Sequence, residues 1–205
     1  WLGNDVTFVD GCCGGVSLSV EFINNGLHPE NIYMFDSGAI GAFWQQVSEG
    51  TFDLDYFEYI IHKIPSDLEN IKGFMEDLSK IEYGYVGDVV SEYLLLQASA
   101  FGGKQIYDLG CKFSNTSFRS YWKPTETSSR RSPVNPMMPM PSTLLDRVKK
   151  VVNEMQPIKA VHTYAENIDF SKIKTDKDLV VYIDPPYKGT TGYKDNIDPS
   201  LVINN

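Results

Sequence analysis

Cysteine is scarce in this chain: there are three in 205 residues, with Cys12 and Cys13 adjacent and Cys111 remote. An odd count with an adjacent pair suits reduced thiols better than a disulfide framework. His28, His62 and His162 are scattered with no ligand-spaced partner, so no metal centre is expected. No run of about 18 apolar residues occurs, and the first residues lack the basic and apolar regions of a secretory signal. A cytoplasmic protein without a membrane segment is the expectation. Basic residues are also few, 18 against 27 acids, for a net charge of −9. That balance argues against indiscriminate polyanion binding, because phosphate contacts come from Lys and Arg. One segment departs from it. From Lys104 to Arg131 there are six bases (Lys104, Lys112, Arg119, Lys123, Arg130, Arg131) and two acids (Asp108, Glu126), which makes this the one candidate nucleic-acid-facing patch.

With 42% apolar residues the chain can bury one substantial core, as one domain with an insertion. Val6 to Asp10 is a short β-rich run. Gly11-Cys12-Cys13-Gly14-Gly15 follows, and then a segment from Val16 to Ile23 with apolar positions at helical spacing. Asn24-Asn25-Gly26 closes that helix, and Ile32 to Phe35 forms a second strand ending at Asp36. The order strand, helix, strand implies parallel pairing through a crossover. Between Phe52 and Gln97 the spacing of Leu68, Ile71, Met75 and Leu78, and then of Val89, Val90, Tyr93 and Leu94, predicts two or three helices. From Phe101 to Pro141 neither period is sustained, which predicts an irregular insertion. Ser142 is a candidate N-cap for a helix carrying Leu145, Val148, Val152 and Met155. Ala160 to Tyr164 reads as a strand, and the apolar run Leu179 to Ile183 as one buried on both faces of a parallel sheet.

In open parallel sheets ligands bind beyond the carboxyl ends of the strands, so the residues after each strand carry the chemistry. The glycines of the first turn let backbone approach a ligand, although such a turn is equally a plain connector. Asp36 suits ribose hydroxyls, or else forms a turn before Ser37-Gly38. Asp184-Pro185-Pro186-Tyr187 is more specific. Two prolines remove amide donors and stiffen the backbone, holding the Asp carboxylate and the Pro185 carbonyl toward whatever lies above the sheet. Two acceptors facing one amino group would bind both its hydrogens and draw its lone pair out of conjugation, while Tyr187 offers a ring for stacking. These are the requirements of an enzyme acting on an extruded base.

The chain resembles the Dam-type family of DNA adenine N6-methyltransferases, whose motifs run in the same order: glycine loop, recognition region, then Asp-Pro-Pro-Tyr. Val9 to Gly15 is similar to the family's Pro-Phe-Xaa-Gly-Gly-Gly-like loop, with Gly11-Cys12 in place of Pro-Phe. Phe35-Asp36-Ser37 resembles its acidic strand end, and Tyr93 to Gly103 the segment opening its recognition region, without that segment's Asn and Arg. Ile168-Asp169-Phe170 resembles the Asp-Phe pair beside the cofactor's adenine. The resemblance implies an α/β fold, a Rossmann-like class I methyltransferase sheet with helices on both faces. Residues 1–97 and 142–205 would form the catalytic domain and 98–141 a target-recognition insertion. It implies S-adenosylmethionine as cofactor, held by Asp10, Gly11, Gly14, Gly15, Asp36, Asp169, Phe170 and Asp184. It further implies catalysis by Asp184, Pro185, Pro186 and Tyr187, and double-stranded DNA as partner, contacted by Lys104, Lys112, Arg119 and Lys123. The setting implied is DNA modification in a bacterial or phage-infected cell. Two alternatives are a degenerate methylase acting as a binding module, and methylation of the cytosine amino group.

Overall fold

The computed structural model describes residues 3–82, 84–100, 106–107, 112–113, 118, 126–127 and 139–184. It is an α/β structure whose backbone contacts divide into two compact units, residues 1–52 with 151–205, and residues 53–150. Helices between Asp53 and Ser99, which the resemblance groups with the catalytic domain, fold in the second of these.

The first unit is built on four parallel strands: β1 (Val6–Asp10), β2 (Ile32–Asp36), β3 (Lys159–His162) and β4 (Asp178–Tyr182), in the order β3-β2-β1-β4. β1 is buried throughout, with Phe8 and Val9 closed off from solvent, because it has a strand on either side. Its side chains alternate between faces. Phe8 meets Phe22 of helix α1 (Ser17–Asn24) edge to face at 4.7 Å. Val9 and Phe35 instead pack with Ala165 and Ile168, from the connection between β3 and β4. That connection has two single 3₁₀ turns, Ala165–Asn167 and Phe170–Lys172, and no α-helix. Helix α2 (Ala39–Glu49) packs on β2 and β3.

Two expectations change. The apolar run 179–183 does not form a strand buried on both faces. β4 pairs only with β1 among the described residues, and Leu179, Val181 and Tyr182 remain 44%, 40% and 41% exposed. Apolar composition reports β-propensity, whereas a strand's coverage depends on what lies beside it, and β4 is the outer strand of the described sheet. Ser142 is not an N-cap: the long helix begins one residue earlier, at Pro141, a favoured first helical position, with the Met140 carbonyl accepting from Leu144. The third strand spans 159–162 rather than 160–164, a boundary shift only.

The second unit is mostly helical where described, with isolated antiparallel β-bridges between Ala100 and Phe118 and between Tyr107 and Phe113. Helix α3 (Leu54–Lys63) starts at Asp53, whose carboxylate accepts from the Tyr56 amide at 2.8 Å. It and α4 (Leu68–Leu78) pack against α5 (Val90–Ser99), which buries Leu95, Leu96 and Glu92. The Glu92 carboxylate accepts from the Tyr56 hydroxyl at 2.5 Å, as a buried acid must find a donor. The last α-helix, α6 (Pro141–Met155), has residues 141–150 in this unit and 151–155 in the first, and buries Leu144, Leu145, Val148 and Met155. No described helix is long and apolar enough to cross a membrane.

Candidate functional site

All four strands run parallel, so their carboxyl ends share one edge of the sheet. β1 and β4 are neighbours there, with Asp10 in register with Tyr182. The turn leaving β1 is tied on both sides. The Gly11 amide donates to the Tyr182 carbonyl at 2.8 Å, continuing the ladder to β4, and the Cys13 amide donates to the Phe35 carbonyl at 3.0 Å on β2. Gly11 is needed for packing, since a Cβ there would lie 3.0 Å from Ile183 Cγ1 and 3.3 Å from the Tyr182 carbonyl. Gly14 and Gly15 differ. A Cβ at either meets nothing within 4 Å, so these two residues face open space beyond the sheet edge.

The same turn holds the one residue other than glycine with a positive φ among the described residues. Gly14 has φ +46°, and Val16, the residue before α1, has φ +54°, a conformation that β-branched residues rarely adopt. Such strain persists where surroundings over-determine it, and it clusters at ligand-binding segments.

Asp36 is bound at both carboxylate oxygens. The Gly38 amide donates to Oδ1 at 2.7 Å, closing an Asx turn, and the Gly14 amide donates to Oδ2 at 3.0 Å. The turn-forming role is therefore realised, and the same carboxylate also holds the glycine turn. Each oxygen keeps a second lone pair for a ligand. Burial raises the Asp36 pKa, against the opposing pull of the Gly38 and Gly14 amides and of His162. Asp10 is buried and accepts from the Ser19 hydroxyl at 2.9 Å. Burial raises its pKa too, with Ser19 lowering it and the charges of Asp36 and Asp184 adding to the rise.

Asp184 lies two residues beyond β4, exposed, and its Oδ2 accepts from the Tyr182 hydroxyl at 3.3 Å. Its charge, followed by burial, lifts the Tyr182 pKa. Cys12 experiences the whole acidic edge. Its thiol is pushed up to about 12, first by burial and then by Asp36, Asp10, Asp184 and Glu166. Burial pushes the Cys13 thiol up as well. Neither is a nucleophile at neutral pH.

Phe170 packs at the margin of the Val9, Phe35, Ala165 and Ile168 cluster, as do Cys12 and Ile183. Asp169 is exposed and caps its 3₁₀ turn, accepting from the Ser171 amide at 3.1 Å and the Ser171 hydroxyl at 2.5 Å, with Lys172 at 3.5 Å. Asp10, Gly11, Gly14, Gly15, Asp36, Phe170 and Asp184 thus gather at the carboxyl end of the sheet. Asp169 lies one residue from Phe170 with its carboxylate engaged locally. Pro185, Pro186, Tyr187, Lys104, Arg119 and Lys123 lie outside the described residues. Lys112, in the second unit, is exposed and pairs with Glu82 at 2.8 Å. Among the described residues, no group of three or more His, Cys, Asp or Glu is arranged to hold a metal.

Four residues that composition did not single out complete the site. Ser19 supports Asp10. Trp44 donates from Nε1 to the Gly14 carbonyl at 3.0 Å, and the His162 ring Nε2 lies 2.8 Å from the Ser37 carbonyl. Gly41 sits against the Asp36 backbone, where its missing Cβ would fall 2.2 Å from the carbonyl oxygen. No helix was expected over residues 39–49, so neither Trp44 nor Gly41 stood out in sequence. Their roles depend on which strand ends α2 meets. No family model matches the chain, and no curated protein matches it.

Proposed function

We propose that this protein is an S-adenosylmethionine-dependent DNA methyltransferase acting on the exocyclic amino group of adenine, its first unit being a Rossmann-like nucleotide-binding domain. The observation that carries the reading is the strand order. In the order β3-β2-β1-β4 the connection leaving β1 runs toward β2, whereas the one leaving β3 runs back across the sheet to β4 on the other side of β1, and the crevice at such a reversal of strand order is where open parallel sheets bind ligands. The glycine turn flanks that crevice on one side and Asp184 on the other. The open space at Gly14 and Gly15 fits a cofactor lying against backbone, and the acidic edge of Asp10, Asp36 and Asp184 suits a cationic ligand.

S-adenosylmethionine supplies an electrophilic methyl group on a sulfonium. Asp36 would accept from ribose hydroxyls through its remaining lone pairs, and Phe170 would offer an apolar wall. Asp184 accepts a hydrogen bond from the amino group of a flipped adenine, and the Pro185 carbonyl accepts the second. Together they direct the nitrogen lone pair outward, and Tyr187 stacks on the base. The nitrogen is itself the nucleophile, so no covalent enzyme intermediate is required, in keeping with the protonated state of Cys12. Lys104, Lys112, Arg119 and Lys123 would contact phosphates.

The test is methyl transfer from radiolabelled S-adenosylmethionine to unmethylated duplex DNA, with the labelled base identified after digestion. Label in adenine is expected, falling about 100-fold or more in Asp184→Ala. Label in cytosine would replace adenine as the substrate. DNA or cofactor binding without transfer would make the chain a binding module, and absence of both would end the proposal.

A further inference from the structure

We propose that Trp44 is a positioning residue for the cofactor site, holding the Gly14 to Gly15 peptide so that its open side faces the ligand; this rests on the function proposed above. Helix α2 turns one face toward the strand ends. Gly41, Trp44, Gln45 and Ser48 follow the spacing i, i+3, i+4, i+7 that makes a single helical stripe. Each meets a different part of the sheet edge. Gly41 lies against the Asp36 backbone. Gln45 Oε1 accepts from the His162 amide at 2.8 Å, and the Ser48 hydroxyl reaches the Ala160 carbonyl at 3.4 Å. Trp44 alone on this stripe reaches across to the turn after β1.

A buried indole N–H needs an acceptor, and Trp44, 4% exposed, finds one in the Gly14 carbonyl. With the Gly14 amide already given to Asp36, both polar groups of that residue are bound within the protein. The turn is thereby held at φ +46°, a conformation with no side-chain packing of its own to define it. Removing the indole donor frees a carbonyl and one end of the peptide facing the crevice, while the ring's packing against Phe43, centroids 4.8 Å apart, is separable from that bond.

The experiment replaces Trp44 with Phe, and separately with 3-benzothienylalanine, which keeps the bicyclic shape and lacks the N–H. Calorimetric titration with S-adenosylmethionine is expected to give a Kd about tenfold weaker for both, the loss of roughly one hydrogen bond. Transfer rate at saturating cofactor should change less than about twofold, by the same reasoning that ground-state binding alone is affected. Amide hydrogen exchange across residues 11–16 in the ligand-free proteins should accelerate. Should Trp44→Phe fail to fold, the benzothienyl isostere decides. Unchanged Kd in a folded variant, with wild type binding normally, overturns the positioning role and leaves the functional reading intact. Failure of wild type to bind S-adenosylmethionine overturns that reading and this inference together.

Discussion

Gly41→Ala is the sharpest structural test, because the usual effect of the substitution and the effect expected here have opposite signs. In a helix interior, Gly to Ala ordinarily stabilises by about 1 kcal/mol. At position 41 the new Cβ would stand 2.2 Å from the Asp36 carbonyl oxygen, 2.8 Å from its carbon and 2.9 Å from Asp36 Cβ, where ordinary contact begins at 3.4 Å. The obstructing atoms belong mainly to backbone at the end of β2, so no side-chain rotation relieves them. Overpacking of this kind costs about 1–3 kcal/mol, and backbone against backbone belongs at the upper end. After subtracting the gain in propensity, a net loss of about 1–2 kcal/mol remains, or a melting temperature lower by about 2–8 °C for a chain of this size. Gly15→Ala is the control within the same unit. Its backbone is outside the left-handed range and its Cβ meets no protein atom within 4 Å, so stability should hold or rise by about 0.4–1 kcal/mol. Thermal unfolding by circular dichroism compares the two. A Gly41→Ala protein melting at or above wild type would refute the close approach of α2 to β2. Gly15→Ala should also weaken S-adenosylmethionine binding, since the methyl group occupies the space assigned to the ligand.

Two further predictions concern the ionisable groups of the same edge. The Asp10 pKa is raised chiefly by burial, so its neutral form is favoured in the fold. Its contribution to stability is full below the ordinary carboxylate value of about 3.9 and fades as pH rises through the raised value. Asp10→Asn retains an acceptor for Ser19 and cannot ionise, so it should gain on wild type across that window and then level off; parallel urea midpoints between about pH 4 and 8 would contradict the effect of burial. Cys12, with its thiol near 12, should react with iodoacetamide at pH 8 on the order of 1000-fold more slowly than a free cysteine. Peptide mass spectrometry at Cys12 measures this, and labelling at the rate of a free thiol would show that the carboxylates and burial do not act on it.

Much of the local structure was legible along the chain. Val6 to Asp10, the glycine turn, the helix after it and Ile32 to Asp36 appear as expected, because strand periodicity, a positive-φ glycine and an Asn-Asn-Gly stop each act over a few residues. The candidate site was legible as a set of strand ends, since the parallel order brings every such end to one edge. Other features follow from pairing and packing. An apolar run such as Leu179 to Tyr182 looks the same whether its strand is central or outermost, so its exposure was not readable. Asp36 offered two readings in sequence, and only the neighbouring turn showed that one carboxylate can close its own Asx turn and hold Gly14 as well.

By itself, the sequence determined which residue types stand at the carboxyl end of each strand and, through its periodicities, most of the strands and helices, helix α2 over residues 39–49 being the one that no expectation covered. Tertiary structure alone decided that β4 lies beside β1, bringing Asp184 to the glycine turn. It alone decided that Gly11 and Gly41 are glycines for want of room while Gly14 and Gly15 face open space, and that a tryptophan in an apolar helix holds the turn by its one N–H. The physical reason is range. Backbone preference and hydrophobic period are properties of neighbouring residues, whereas close approach and hydrogen-bond partnership belong to atoms brought together only by the folded sheet.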